Sequence, residues 1–252
     1  MSDWNASQYL KFKKQRTQPA KDLARRVKEY QPKTIIDIGC GPGNSTSTLA
    51  EIFPDADIMG IDNSENMIKK AKEEHPELKF ELRDISKITG KYDLLFSNAC
   101  LQWVPNHDDL LPKLMKNLSD KGVLAIQIPI NEEEPLFKTI DEIAREDRWG
   151  LKNICLPQNK ALSPSRYFNI LTDCSSDFDI WETKYYHTLE NHRAMIEWVK
   201  GTRLRPYLDA LGEETGKEFE NEIENKAKKI YPPQKNGNII FGFRRLFFIA
   251  KK

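Results

Sequence analysis

The side chains best suited to chemistry are grouped around one short stretch. Asp37-Ile38-Gly39-Cys40-Gly41-Pro42-Gly43 sets an acid ahead of three glycines at alternate positions. Glycine lets the main chain turn sharply and approach a ligand where a Cβ would clash. Two classes of cofactor use such a turn. A dinucleotide turn reads G-x-G-x-x-G and rests a pyrophosphate on a helix N-terminus. Gly39 and Gly41 fit that spacing, but its third position is Asn44, and the extra glycine falls at Gly43. A second acid, Asp62, closes the run Asp57-Ile58-Met59-Gly60-Ile61-Asp62. A carboxylate there is placed to accept both hydroxyls of a ribose.

Alternating strands and helices must position these groups. Thr34 to Ile38 is a short β-branched run that reads as a buried parallel strand. Asn44 or Ser45 can cap the helix that follows, to about Phe53. Asp57 to Asp62 is a second strand, and Ser64 can cap a helix with Met67, Ile68 and Ala71 on one side. Leu78 to Leu82 is a third strand, leading into Arg83-Asp84. Tyr92 to Ser97 is a fourth, followed by Asn98-Ala99-Cys100-Leu101-Gln102-Trp103. A helix from about Asp108 to Leu118, a turn at Asp120-Lys121-Gly122 and a fifth strand from Val123 to Ile128 complete the alternation. The pattern implies an α/β fold with a parallel sheet and right-handed crossovers. Ligands of such sheets bind beyond the carboxyl ends of the strands, which makes the residues after the fourth strand candidates for the reacting face.

The flanking segments are read more coarsely. Residues 18–30 form an amphipathic helix with Leu23, Ala24 and Val27 inward, ended by Pro32. Trp4, Tyr9 and Phe12 make residues 1–17 a candidate lid over the cofactor. Helices are expected from Pro135 to Arg148 and from Pro164 to Thr172, the second capped by Ser163. Phe178 to His187 alternates like a strand, and Arg245 to Lys251 is the final one. Between them, His192 to Lys200, Arg205 to Leu211 and Glu213 to Lys229 read as helices broken at Gly201 and Gly212. The expectation is a single domain over 1–252, with 188–237 inserted as a helical cap.

Composition narrows the partners. The chain has 252 residues and a net charge near +1, with both signs interspersed. Neither a nucleic-acid groove nor an anionic membrane is suggested. No apolar run approaches the roughly 18 residues of a membrane span, and the polar start Met1-Ser2-Asp3-Trp4-Asn5 lacks a signal-peptide core. Cys40, Cys100, Cys155 and Cys174 are scattered without a C-x-x-C, which suits a cytoplasmic protein without disulfides. His187 and His192 are too loosely spaced to predict a metal site. A monomer is expected.

The D-x-G-x-G-x-G loop resembles motif I of the class I S-adenosylmethionine methyltransferases. The closer likeness is to the trans-aconitate 2-methyltransferase family. It is carried by Asp3-Trp4-Asn5 with Tyr9 and Arg16, the Asp37-to-Ser45 loop, and Asn98-Ala99-x-Leu101-Gln102-Trp103 with Pro105 and His107. Asp179-Ile180-Trp181, Tyr185-Tyr186-His187, Trp198-Val199, Leu204-Arg205-Pro206 and Arg245-Leu246-Phe247 extend it along the chain. The resemblance implies a Rossmann-like fold with seven strands, mostly parallel, the last antiparallel. It also implies transfer of a methyl group from S-adenosylmethionine to one carboxylate of a small polycarboxylate. By the same resemblance the cofactor residues are Asp37, Gly39, Gly41, Gly43, Asp62, Asp84, Asn98 and Arg16. Asp84 matches the position that holds the adenine amino group; its alternative is a turn residue. Arg203 and Arg244 are extra arginines beside the family-like Arg205 and Arg245, and Gln15 stands where an acid is expected.

The chemistry agrees with that resemblance. A carboxylate with pKa near ~4 is already ionised at neutral pH, so an in-line methyl transfer needs no general base. What remains is positioning and removal of water, and positioning alone can supply about 7–11 kcal/mol. Arginine grips carboxylates bidentately, which makes Arg205 and Arg245 candidates for the non-reacting ends of the acid. Arg244 and Arg245 are consecutive on a strand and point to opposite faces, so one of them faces substrate. Alternation likewise sets Tyr185 and His187 together and Tyr186 opposite. Trp103 is placed to wall off the methyl group or to pack against the cap. Rival readings are esterification of a malonyl-thioester carrier protein or an isoprenoid acid, and a regulator that binds the cofactor without turnover.

Overall fold

The computed structural model describes residues 13–154 and 159–252, with the side chains of 13–16, 201 and 202 left aside. Trp4, Tyr9 and Phe12 of the expected lid, and Cys155, lie outside the described residues. The chain divides into two compact units. Residues up to Pro129, Asn159–Thr183 and Arg245–Lys252 form the first, and Ile130–Gln158 with Lys184–Arg244 form the second.

The first unit holds the alternation. Helix α1 (Lys13–Arg26) is followed by β1 (Thr34–Ile38), α2 (Asn44–Ile52), β2 (Asp57–Asp62), α3 (Glu65–Glu74), β3 (Lys79–Leu82) and β4 (Tyr92–Asn98). Then come α4 (His107–Lys116), β5 (Leu118–Pro129) and, later in the chain, α6 (Pro164–Cys174). In the second unit α5 (Pro135–Ala144), α7 (His192–Val199), α8 (Arg205–Leu211) and α9 (Glu213–Ile230) are the helices. Strands β6 (Asp177–Leu189) and β7 (Ile239–Lys251) contribute residues to both.

The seven strands are ordered β3-β2-β1-β4-β5-β7-β6. β1 through β5 pair in parallel, and β7 runs antiparallel to β5, with Val123 opposite Lys251 and Pro129 opposite Arg245. The switch point of the strand order falls between β1 and β4, beside the glycine loop. Ile35, Ile36, Ile38, Leu94, Leu95, Phe96 and Val123 to Ile126 are almost fully buried, as strands covered on both faces must be. Leu23, Ala24 and Val27 are buried, as the helical pattern required.

Several boundaries differ from the sequence reading. α1 begins earlier and carries Pro19 inside it, and its α-helical part stops at Arg26. Residues Lys28–Tyr30 form a separate 3-10 turn, closed by Gln31 at φ 46 rather than by Pro32. The expected turn at Asp120-Lys121-Gly122 is an irregularity within one long strand. The register with β4 shifts between Tyr92 and Leu94, and Lys121 takes φ 69. β7 starts at Ile239, well before Arg245, and carries Gly242 within it. A Cβ on Gly242 would sit 2.5 Å from Lys184 Cε. Gly201 does not break the chain between α7 and α8 either; Lys200–Leu204 continues as a π-helical turn.

Candidate functional site

The glycine loop and its two acids are built by β1, β2 and the start of α2. Asp37 sits within β1 and is fully buried. Its Oδ2 accepts hydrogen bonds from Ser45 Oγ at 2.7 Å and Thr46 Oγ1 at 2.6 Å. Its Oδ1 is sealed in without a partner. Burial pushes the carboxyl up to about 6, against the two hydroxyl bonds that favour the ionised form. Ser45 is therefore spent on Asp37 and does not cap α2. The N-cap is Gly43, at φ 90, with no side-chain bond. That corrects the expectation of Asn44 or Ser45.

The three glycines of the loop do different jobs. Gly39 has φ 69, and a Cβ there would fall 2.2 Å from Cys100 Sγ. Gly43 has φ 90, and its Cβ would meet His75 and Phe80 at 2.9 Å. Only Gly41, at φ 53, would project a Cβ into open space. Of the three, it is the one whose missing side chain leaves room for a ligand. Its N–H donates to Asp62 Oδ2 at 2.9 Å, while Ser64 N–H donates to Asp62 Oδ1 at 2.9 Å. These bonds take two of the roughly four acceptor positions of a carboxylate. Ser64 also caps α3 through the N–H of Met67, and Met67, Ile68 and Ala71 are buried.

Asp84 lies just after β3. Its Oδ1 accepts from Ser86 N–H at 2.8 Å and Ser86 Oγ at 2.5 Å, capping a 3-10 turn. These bonds, led by that of the Ser86 side chain, hold its carboxyl below the usual range. Asn63, Leu82, Arg83, Asp84, Lys87 and Thr89 line a surface depression there. Leu82 is 53% exposed in it, an apolar surface of the kind that suits a flat base.

β4 ends at Asn98, whose Oδ1 is buried without a partner. Ala99 follows at φ 56, in the left-handed region that a non-glycine residue seldom takes. Its N–H is held by Gln127 O at 3.0 Å. Leu101–Trp103 is a 3-10 turn, and Trp103 is 42% exposed. His107 secures this turn. Its Nε2 lies 2.9 Å from Leu101 O and its Nδ1 2.6 Å from the Tyr167 hydroxyl. A carbonyl can only accept, so Nε2 carries the proton and Nδ1 accepts from Tyr167. Burial lowers the His107 pKa and keeps this neutral form.

Arg245, on β7, is buried and lies in register with Pro129, at the carboxyl end of β5. Arg244 is exposed and on the other face, as strand alternation requires. Arg16 belongs to α1, with its side chain outside the described residues.

In the second unit, His187 is buried and stacked on Trp198 at 4.6 Å between ring centroids. Tyr185 is half-buried and Tyr186 is exposed, in the expected alternation. Arg205 opens α8, partly exposed, with Nε 3.8 Å from Asp209. Arg203 has a different environment: it is ion-paired with Asp141 and lies over the Phe137 ring at 5.5 Å.

Sequence reasoning missed Ser45 and Thr46 as partners of Asp37, and it missed Gln127. Gln127 is fully buried in β5 with both side-chain polar atoms unpartnered. The available signal was a lone amide in the apolar run Val123 to Ile128.

Comparison with known proteins fits this geometry. Residues 31–193 match the family model described as a methyltransferase domain. A trans-aconitate 2-methyltransferase from Methylobacterium nodulans is 42% identical, over 100% of this chain and 99% of its own length. The chain belongs to the trans-aconitate 2-methyltransferase family. Family members from Variovorax paradoxus and an Enterobacter species are 38% and 40% identical, again over 100% of this chain and 99% of theirs. Among solved structures, the plantazolicin methyltransferase BpumL in complex with a desmethylPZN analogue and SAH aligns with TM-score 0.55. It is 18% identical over 98% of this chain and 90% of that one. The YcgJ protein from Bacillus subtilis aligns with TM-score 0.56 at 13% identity, over 87% and 92%. These two likenesses bear on the fold alone, and the fold is that of the class I methyltransferases. No helix among the described residues is long and apolar enough to cross a membrane.

Proposed function

We propose that the protein is a carboxyl O-methyltransferase that esterifies trans-aconitate at one carboxylate with the methyl group of S-adenosylmethionine. The observation that supports this most is the end-to-end match to relatives named for that activity, at 42% identity in the nearest example given above. The glycine loop adds a local reason. Open space at Gly41, the orphaned Oδ1 of Asp37 and the carboxylate of Asp62 fit the adenosyl and amino-acid ends of the cofactor.

When bound, S-adenosylmethionine supplies an electrophilic methyl group. The protein supplies the rest. Asp62 would accept ribose hydroxyls, Asp84 would accept from the adenine amino group, and Gly39, Gly41 and Gly43 would shape the loop that holds the cofactor. Asn98 and Arg16 would complete the set. The acceptor carboxylate is ionised at neutral pH, so no side chain need remove a proton. Arg245 neutralises and orients a carboxylate of the acid, and its burial strengthens that attraction. Arg205, Tyr185 and His187 are the further substrate residues, and Trp103 keeps water from the methyl group. The enzyme works as a monomer in the cytoplasm.

The test is incubation with methyl-labelled S-adenosylmethionine and trans-aconitate, followed by mass spectrometry. A base-labile monomethyl ester is expected. Label that stays with the cofactor, or appears in a base-stable product, would overturn the reading.

A further inference from the structure

Asn98 and Gln127 are register partners on the parallel strands β4 and β5. Register partners in a sheet present their side chains to the same face, about 4.8 Å apart along the hydrogen-bonding direction. Each carries an amide with a buried atom that bonds to nothing: Oδ1 of Asn98, and both Oε1 and Nε2 of Gln127. Gln127 is 0% exposed. A buried polar atom left without a partner costs about 1–3 kcal/mol. On packing grounds alone an apolar side chain would serve β5 better, since its neighbours Leu124, Ala125, Ile126 and Ile128 are buried and apolar.

We propose that Gln127 is a positioning residue for Asn98 in the cofactor-bound enzyme. Its Nε2–H donates to Asn98 Oδ1, a bond that a side-chain rotation brings within reach across the register pair. With Oδ1 engaged, the Asn98 amide nitrogen is the end presented to the cofactor, where it donates to an acceptor atom. The main chain of Gln127 serves the same end of β4. Its carbonyl accepts the Ala99 N–H at 3.0 Å and holds Ala99 in its left-handed conformation at φ 56. One residue thus fixes both the backbone turn after Asn98 and the orientation of the Asn98 side chain. The inference rests on Asn98 meeting the cofactor; it is independent of which acid is methylated.

The experiment is a double-mutant cycle of Gln127→Met and Asn98→Ala in the full-length protein, read by calorimetric binding of S-adenosylhomocysteine and by thermal melting. Methionine keeps the length and volume of glutamine without its amide. Gln127→Met is expected to weaken binding by about tenfold in the wild-type background and by less than about twofold in Asn98→Ala, the signature of two residues acting through one contact. Its melting temperature should stay level or rise, because unpaired buried amide atoms are removed. Equal weakening in both backgrounds, unchanged binding in the wild-type background, or a fall in melting temperature would overturn the proposal. Binding by wild type with no esterification of trans-aconitate would contradict the proposed substrate and leave this inference standing.

Discussion

Replacing Asp37 by asparagine should stabilise the protein at neutral pH while weakening its grip on the cofactor. Burial raises the folded-state pKa from 3.8 to about 6. The folded protein therefore binds this proton more tightly than the unfolded chain does. The stabilisation linked to that proton is fully present below about pH 4 and is lost as pH rises through about 6. A rise of about two pH units at 1.36 kcal/mol each amounts to about 3 kcal/mol. Asparagine cannot ionise, and its Oδ1 can still accept from Ser45 and Thr46. The stability difference between Asp37→Asn and wild type should grow by about 3 kcal/mol from pH 4 to pH 7 and then level off. For a chain of this length that is about 6 °C in melting temperature. The assay is a set of paired melts at half-unit steps from pH 4 to 8.5, with S-adenosylhomocysteine affinity measured at pH 7.5. Acid unfolding through other groups is common to both proteins and cancels in the difference. A melting-temperature difference that is flat with pH would refute the argument that a desolvated carboxylate sits beneath the loop.

The other expectations concern the loop, its second acid and the substrate. Gly39→Ala should unfold or misfold the protein, because its Cβ meets Cys100 Sγ at 2.2 Å. Gly41→Ala should lose only about 1 kcal/mol of stability to its positive φ, yet bind S-adenosylhomocysteine far more weakly. Circular dichroism and calorimetry on the pair separate these outcomes, and similar melting curves for both would contradict the division of roles. Asp62→Ala deletes acceptors that Gly41 and Ser64 use, and cofactor affinity should fall by about 2–3 kcal/mol; unchanged affinity would remove Asp62 from the site. Arg205→Ala should raise KM for a tricarboxylate much more than for a monocarboxylate, and an equal effect on both would make Arg205 structural.

Much of the fold was legible because local signals and the global fold agreed. β2 runs from Asp57 to Asp62, the bounds read from the sequence, and Ser64 and Ser163 cap α3 and α6 through the N–H groups of Met67 and Arg166. Boundaries failed where a residue's local preference was overridden by something distant in sequence. The final strand read as starting near Arg245, but it runs from Ile239 through Gly242, where Lys184 crosses the place a side chain would take. Ser45 read as a cap, but Asp37 claims its hydroxyl. From the sequence, His107 was read only as part of a family resemblance; in the structure it is a neutral strut between Leu101 and Tyr167. Gln127 was passed over because its one signal, a lone amide in an apolar run, does not say whether that amide has a partner. The cofactor residues carry a motif that spacing reveals. The residues proposed for substrate are single arginines and aromatics, and their types alone do not distinguish a ligand contact from an ion pair such as Arg203 with Asp141.

The most direct test of the central claim is a competition for methyl transfer among acids. Trans-aconitate, cis-aconitate, citrate, isocitrate, a malonyl-loaded carrier protein and a long-chain isoprenoid acid would be offered together, and the esters resolved by mass spectrometry. The account predicts that the trans-aconitate monomethyl ester dominates, with kcat/KM at least about tenfold above any other acid. Preferential esterification of the carrier protein or the isoprenoid acid would contradict it.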